Sequence, residues 1–169
     1  MRAGLLLAAA TAMAVAGAAA AAPVAESADG RWRVEGTDTS VVVLESGQPA
    51  RTLRAVDLTG RERGRAAAVA YLPRRRSFVI VFAGLPELWE LSVDPDAPPV
   101  FDGLVHDWRM GEALGTPGFL GVRRTRLPGP ASALRPEDSQ AQVLVTTADA
   151  ALLVHLDVRR VIARFARAP

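Results

Sequence analysis

Along most of the chain, apolar and polar residues alternate with a period of two, which is typical of β-strands that bury one face. Residues 40–44 (SVVVL) form a β-branched run, residues 45–49 contain a Gly and a Pro, and alternation resumes over residues 50–56. Two such runs around a short turn predict a β-hairpin. The polar, Gly-containing segment 57–65 predicts a loop. This part of the chain is therefore predicted to be antiparallel β-structure.

The same pattern predicts six more strands in two groups. The first group is a meander over residues 67–93, in which Trp89 is assigned to the core because an indole buries a large apolar surface. The second group runs from residue 142 to residue 165. Residues 94–140 separate the groups and are punctuated throughout by Pro and Gly, which predicts a long loop excursion. Because excursions of this length often carry function, a site is expected here first.

The N-terminus has the pattern of a secretory signal peptide. Arg2 gives a short positive region, an apolar run follows, and small residues precede residue 22. We predict a signal peptide over residues 1–21, a flexible N-terminal segment over residues 22–39 and a β-domain over residues 40–169. The apolar run is shorter than the ~20 residues that a membrane-spanning helix needs. The mature protein is therefore predicted to be periplasmic or secreted, with no stable membrane span.

The composition and the motifs of the sequence exclude several classes of function. All 20 basic residues are arginine, the formal net charge is +2, and there is no Cys. So small an excess of positive charge does not favour nucleic-acid binding. The lack of Cys excludes disulfides, thiolate metal sites and a lipidated N-terminal Cys. The sequence contains no G-x-S-x-G motif, P-loop or metal-spaced His pair. No catalytic residue and no metal ligand is assigned, and a non-catalytic role is favoured over an enzyme.

A weak internal repeat indicates how the strands are organised. VVVLESGQPARTLRA, from Val41, and LLVHLDVRRVIARFA, from Leu152, both consist of an apolar strand, an acidic corner and an arginine-containing strand. Repeated hairpins are typical of β-propeller blades, whose period of ~40–50 residues leaves room for about three blades here. A closed propeller needs about four or more. The predicted fold is all-β, with about three antiparallel blades in an incomplete propeller. Its exposed sheet edges invite self-association or pairing with another periplasmic protein.

The segment ELWELSVDPDAPPVFDGLVHDW, preceded by AVAYLPRRRSFVIVF and followed by GFLGVRR, resembles the cytochrome d₁ domain proteins. These are periplasmic eight-bladed β-propellers that include the haem d₁ domain of cytochrome cd₁ nitrite reductase and its non-reductase relatives. The resemblance covers residues 66–126 and implies a truncated d₁-type propeller that acts as a binding or interaction module. The alternative that it implies is a haem d₁-binding or haem d₁ assembly protein linked to nitrite respiration.

Four residues are candidates for holding a cofactor such as haem. His106 stands in the region of the resemblance and could ligate iron, and Trp108 could wall a pocket for a ring ligand. Arg123 and Arg124 could clasp carboxylates such as haem propionates through bidentate hydrogen bonds. For His106, the alternative is a loop histidine bonded to a neighbouring carboxylate. Residues 74–76, also arginines, fall at a predicted hairpin turn and are assigned to solvent-exposed charge.

Overall fold

The computed structural model describes residues 22–101 and 115–166, and within them the chain forms three four-stranded antiparallel sheets. The strands of each sheet are consecutive in sequence, as they are in propeller blades. Blade 1 contains β1 (Val24–Glu26), β2 (Trp32–Gly36), β3 (Ser40–Glu45) and β4 (Gln48–Arg54). Blade 2 contains β5 (Arg65–Leu72), β6 (Ser77–Ala83), β7 (Glu87–Ser92) and β8 (Val122–Arg126). Blade 3 contains β9 (Ala131–Pro136), β10 (Gln142–Thr147), β11 (Ala150–His155) and β12 (Arg160–Ala166).

The hairpins follow from local turn chemistry. Between β3 and β4, Ser46 and Gly47 have φ angles of 48° and 81°. Positive φ at both central residues is typical of the type I′ hairpin turn, whose twist matches that of the flanking strands. The turn sets Glu45 opposite Gln48. Each blade is therefore a meander of adjacent strands, as the alternation in the sequence predicts.

Two apolar layers hold the blades together. β6 is buried along almost its whole length, because its side chains alternately face blade 1 and blade 3. The layer between blades 1 and 2 includes Trp32, Val34, Val41, Val43, Phe78, Ile80, Phe82, Trp89 and Leu91. The layer between blades 2 and 3 includes Val79, Val81, Leu88, Val143, Val145, Leu152 and Val154. The first strand of blade 2, β5, contacts the first strands of the other two blades, so the three blades form an arc.

The observed strands differ from the predicted domain boundaries in two places. Residues 22–39, predicted to be flexible, contain β1 and β2. Residues 94–140, predicted to be a loop excursion, contain β8 and β9 near their C-terminal end. These four strands are short and partly polar, so their alternation is weak in the sequence. Pairing with a neighbouring strand and burial against the next blade stabilise them, and both are tertiary effects.

The predicted fold class and the predicted number of blades are confirmed. The two halves of the internal repeat are the hairpins β3–β4 and β11–β12, which are the third and fourth strands of blades 1 and 3. The fold is all-β, with three antiparallel propeller-like blades. Within the described residues, no helix has the length and apolar character needed to span a membrane.

Candidate functional site

The chain leaves blade 2 after β7 and returns to it at β8, and the outgoing and returning segments pair just before β8. Val100 and Thr116 form an antiparallel bridge, with N–H···O distances of 2.9 and 2.8 Å. A Cβ atom on Gly118 would lie 2.1 Å from the carbonyl oxygen of Pro98, and one on Gly121 would lie 2.4 Å from another backbone carbonyl oxygen. Neither position accepts a side chain unless the backbone moves. Gly118 therefore lets the returning chain pack directly on the outgoing chain, and Gly121 lets the returning chain turn tightly before β8.

Two adjoining cavities lie beside these paired segments, next to the β5–β6 and β11–β12 turns. The first has a volume of about 230 Å³ and is lined by Arg74, Arg75, Ser77, Glu90, Asp94 and Arg123, among others. The second has a volume of about 200 Å³ and is lined by Pro99, Val100, Phe101, Arg123, Asp157 and Arg159. We call the two cavities together the arginine cleft. Arg123 and Val100 line both cavities, so the two adjoin at these residues.

The arginine cleft is organised around the carboxylate of Glu90, which is only 7% exposed. Arg75 donates from Nε to Oε1 at 2.7 Å, and Ser77 Oγ donates to the same oxygen at 3.1 Å. Arg123 faces Glu90 from the neighbouring strand, because the two residues are partners in the β7–β8 pairing. Its Nη1 lies 3.8 Å from Glu90 Oε2, and 32% of its side chain is exposed. Arg123 is thus held much more loosely than Arg75.

Arg75 also connects blade 2 to blade 3. Its Nη2 lies 2.8 Å from Asp157 Oδ1, in the turn between β11 and β12. The hydrogen bond from Arg75 lowers the pKa of the Asp157 carboxyl, and the charges of Arg75, His155 and Arg123 act in the same direction. Burial alone would lower the pKa of Arg75, but its hydrogen bonds to Glu90 and Asp157 outweigh burial and raise it. Both groups are therefore fixed in their charged forms.

Arg124 points to the opposite face of β8 and makes different contacts. Its Nη1 donates to the carbonyl oxygen of Val56 at 2.8 Å and lies 3.2 Å from Glu87 Oε2. Its guanidinium stacks over the ring of Trp89, 4.4 Å from the ring centroid. Trp89 Nε1 in turn donates to Glu87 Oε2 at 2.6 Å. Arg124 is thus engaged between blades 1 and 2.

Of the four predicted cofactor residues, two lie within the described residues, and these two face opposite sides of β8. Arg123 lines the arginine cleft, whereas Arg124 does not. His106 and Trp108 lie outside the described residues. The prediction that all four hold one cofactor stays a prediction.

Three residues of the arginine cleft were missed by the sequence analysis. Arg75 was assigned to solvent-exposed charge at a turn, yet its guanidinium is largely buried between two carboxylates. Glu87 and Glu90 stand among large apolar residues in a strand that is buried at five of its six positions, and a carboxylate at such a position needs a charged or hydrogen-bonding partner. Asp157 gives no comparable signal, because an acidic residue at a hairpin corner is usually solvated.

The architecture defines this chain as an arc of three β-propeller blades with an arginine-rich cleft at one end of the central blade. No protein-family model matches the sequence, and no curated protein matches it either. Among solved structures, the chain is similar to dihydro-heme d1 dehydrogenase NirN in complex with DHE. The identity is 22% and the TM-score 0.65, over 86% of this chain and 28% of that one.

The chain is also similar to the hydrazine synthase of Kuenenia stuttgartiensis. The identity is 9% and the TM-score 0.57, over 86% of this chain and 36% of that one. At these identities the likeness shows the fold alone. The resemblance to d₁-type propellers is thereby confirmed at the level of the fold. The chain spans well under half of the length of either structure.

Proposed function

We propose that this protein is a non-catalytic, extracytoplasmic binding module whose arginine cleft takes a carboxylate group of its ligand. The observation that carries the proposal is the position of Arg123. It lines both cavities, it is partly exposed, and its contact with Glu90 is long. A guanidinium held in this way can turn its donors to a bidentate carboxylate without losing a strong bond.

The size and lining of the arginine cleft limit what it accepts. Its two cavities, of about 230 and 200 Å³, each lie below the ~300–1,000 Å³ that is usual for pockets of drug-sized ligands. The cleft therefore suits a small carboxylate, or one carboxylate arm of a larger ligand. Phe101 and Val100 line the second cavity next to Arg123 and provide an apolar wall. A carboxylate attached to an apolar or aromatic group matches both features.

The described residues of the cleft support binding rather than catalysis. Arg75 and Asp157 hold each other in their charged forms. A group fixed in one protonation state near neutral pH is a poor general acid or base, because it cannot exchange a proton with a substrate. What these residues offer a ligand is charge complementarity.

The binding proposal is tested by calorimetric titration of the protein with benzoate. Arg123→Gln is expected to weaken benzoate binding at least tenfold, which corresponds to about 1.4 kcal/mol. Arg126→Gln is the matched control, because it removes the same charge from an exposed position on the same strand. Binding should be unchanged in this control. Equal affinity of wild type and Arg123→Gln, or equal binding of the neutral isostere benzamide, would overturn the proposal.

Secretion is the second part of the proposal and rests on the signal-peptide pattern of residues 1–21. Protein recovered from the periplasm or medium of its native host is expected to begin near residue 22. Intact-mass measurement and N-terminal sequencing check this. A full-length chain in the cytoplasm or membrane fraction would contradict it.

A haem-linked role is the second candidate function, favoured by the fold shared with NirN, which is described in complex with DHE. The described residues fit this group only in part. Arg123 could hold a propionate, but neither cavity of the arginine cleft has room for the ring. The ring would need residues outside the described part, His106 and Trp108 among them. A haem titration followed by visible absorption distinguishes the two candidates, since a bound Soret band that is lost in His106→Ala supports haem and its absence retires it.

The third part of the proposal is that the module associates with itself or with another periplasmic protein. Within the described residues, the outermost strands β4, β8 and β12 each pair with a strand on one side only, and exposed edges invite pairing with another chain. Sedimentation velocity over a wide concentration range tests self-association. A strictly monomeric protein that also retains no partner in a pull-down would contradict this part and leave the carboxylate site untouched.

A further inference from the structure

Three consecutive arginines lie in the turn between β5 and β6, and only two of them have carboxylate partners. Arg75 lies between two carboxylates, and Arg76 Nη1 lies 2.9 Å from Asp94 Oδ1. In the part of the chain that the structure describes, the guanidinium of Arg74 makes no hydrogen bond and no ion pair. Arg74 is therefore the arginine of this turn whose charge is available to a ligand.

The backbone that carries Arg74 is held in place on both sides. Its amide nitrogen donates to Oε1 of Gln140, a residue of blade 3, at 2.8 Å. Two backbone hydrogen bonds of 3.1 and 3.3 Å close the turn itself. The side chain of Arg74 thus extends from a fixed point, so its guanidinium loses less conformational entropy on binding than one carried by a mobile loop.

Arg74 lines the same cavity as Arg123. Both side chains belong to the wall of the first cavity of the arginine cleft, whose volume is about 230 Å³. Ala97, Pro98 and Val100 line this cavity as well. The first cavity therefore offers a ligand two guanidinium groups and an apolar surface.

We propose that the ligand of the arginine cleft carries two carboxylates joined by a short apolar spacer, one bound by Arg123 and the other by Arg74. This inference rests on the proposed carboxylate site at Arg123 and adds the second charged group of the ligand. Each guanidinium offers two parallel donors to one carboxylate. The apolar wall formed by Ala97, Pro98 and Val100 receives the spacer.

The acidic residues of the first cavity make the spacing of the two carboxylates important. Glu90 and Asp94 also line this cavity, and each has an arginine partner, at 2.7 and 2.9 Å. A second carboxylate that does not reach Arg74 meets these like charges instead, which disfavours binding. The cavity is therefore expected to select the dicarboxylate whose spacing places both groups on arginines.

Calorimetric titration with phthalate, isophthalate and terephthalate tests the inference, with benzoate as the reference. The three isomers share one ring and differ only in the separation of their two carboxylates. In ~0.15 M salt the screening length is ~8 Å, which weakens the long-range attraction of a doubly charged ligand. The best isomer should bind at least threefold more tightly than benzoate. The gain is modest because Arg74 is exposed and exposed ion pairs are individually weak. The monoamide of that isomer keeps its shape but loses one charge, and should bind no more tightly than benzoate.

Two arginine variants assign the gain to its residue. Arg74→Gln should remove the advantage of the best isomer and leave the affinity for benzoate nearly unchanged, since benzoate needs only Arg123. Arg65→Gln is the matched control, because it removes the same charge from an exposed position at the opposite end of β5, and it should keep the advantage.

The possible failures are distinguishable. A wild type that binds benzoate but none of the three isomers more tightly would overturn the dicarboxylate inference and leave the site at Arg123 intact. An advantage that survives in Arg74→Gln would overturn the role of Arg74. A wild type that binds neither benzoate nor any isomer would overturn the proposed function together with this inference.

Discussion

Replacing Trp89 by alanine is expected to lower the free energy of unfolding by about 3–5 kcal/mol, the cost typical of removing a buried tryptophan or phenylalanine. Trp89 is fully buried and packs against Phe82 with ring centroids 4.7 Å apart. It also lies beneath the Arg124 guanidinium and donates a hydrogen bond to Glu87. Its loss leaves a cavity between blades 1 and 2 and leaves Glu87 with one partner fewer. Chemical denaturation followed by circular dichroism measures the effect.

Trp89→Phe is the control for this prediction. Phenylalanine keeps the contact with Phe82 and a ring beneath Arg124, but it cannot donate to Glu87. It should therefore cost clearly less than alanine, with the remaining loss reporting on the hydrogen bond and the smaller ring. A Trp89→Ala protein as stable as wild type would mean that blades 1 and 2 do not pack through this layer.

Replacing Glu90 by glutamine is expected to have two effects of opposite sign. The amide cannot balance Arg75 and Arg123, so the free energy of unfolding should fall by about 2–3 kcal/mol, somewhat less than for a fully buried pair because both arginines keep some solvent and Arg75 keeps Asp157. At the same time, Arg123 loses the carboxylate that competes with a ligand. Benzoate should therefore bind severalfold more tightly. Denaturation and calorimetric titration on the same preparation measure both.

Glu45→Gln is the matched control, since it makes the same substitution at an exposed ion pair. Glu45 pairs with Arg31 at 2.6 Å, with side chains 38% and 57% exposed. Exposed pairs contribute only ~0–1 kcal/mol, so this variant should lose little stability and bind benzoate as wild type does. Weaker benzoate binding in Glu90→Gln would contradict the competition between Glu90 and the ligand. Glu90 would then maintain the shape of the arginine cleft and would not compete with the ligand for Arg123.

The strands were predictable where alternation is strong and local. The β6 segment, with its β-branched and aromatic residues, and the hairpin around Ser46 and Gly47 specify their structure through nearest-neighbour chemistry. β1, β2, β8 and β9 were not assigned as strands. β1 has only three residues, and β8 carries three arginines among its five residues, so neither shows a local pattern. Such strands form because a partner strand and a neighbouring blade are already in place.

The candidate site was likewise predictable only in part. Arg123 was predicted as a candidate from its residue type and from the glycines that precede it, because a guanidinium offers two parallel donors to a carboxylate. The different surroundings of Arg123 and Arg124 could not be predicted. Alternation places adjacent residues on opposite sides of a strand, but what each side contacts depends on tertiary packing. One side of β8 meets Trp89 and blade 1, and the other meets Glu90 and the cleft.

The sequence by itself determined the all-β class, the number of blades and the expectation of secretion. Each of these depends on composition, on period-two alternation or on a terminal pattern, all of which are local properties. Only the tertiary structure decided that Arg75 is buried between Glu90 and Asp157, because these three residues belong to different strands and turns of two blades. A strand's alternation shows that it has two faces, but which face meets another blade is decided by packing.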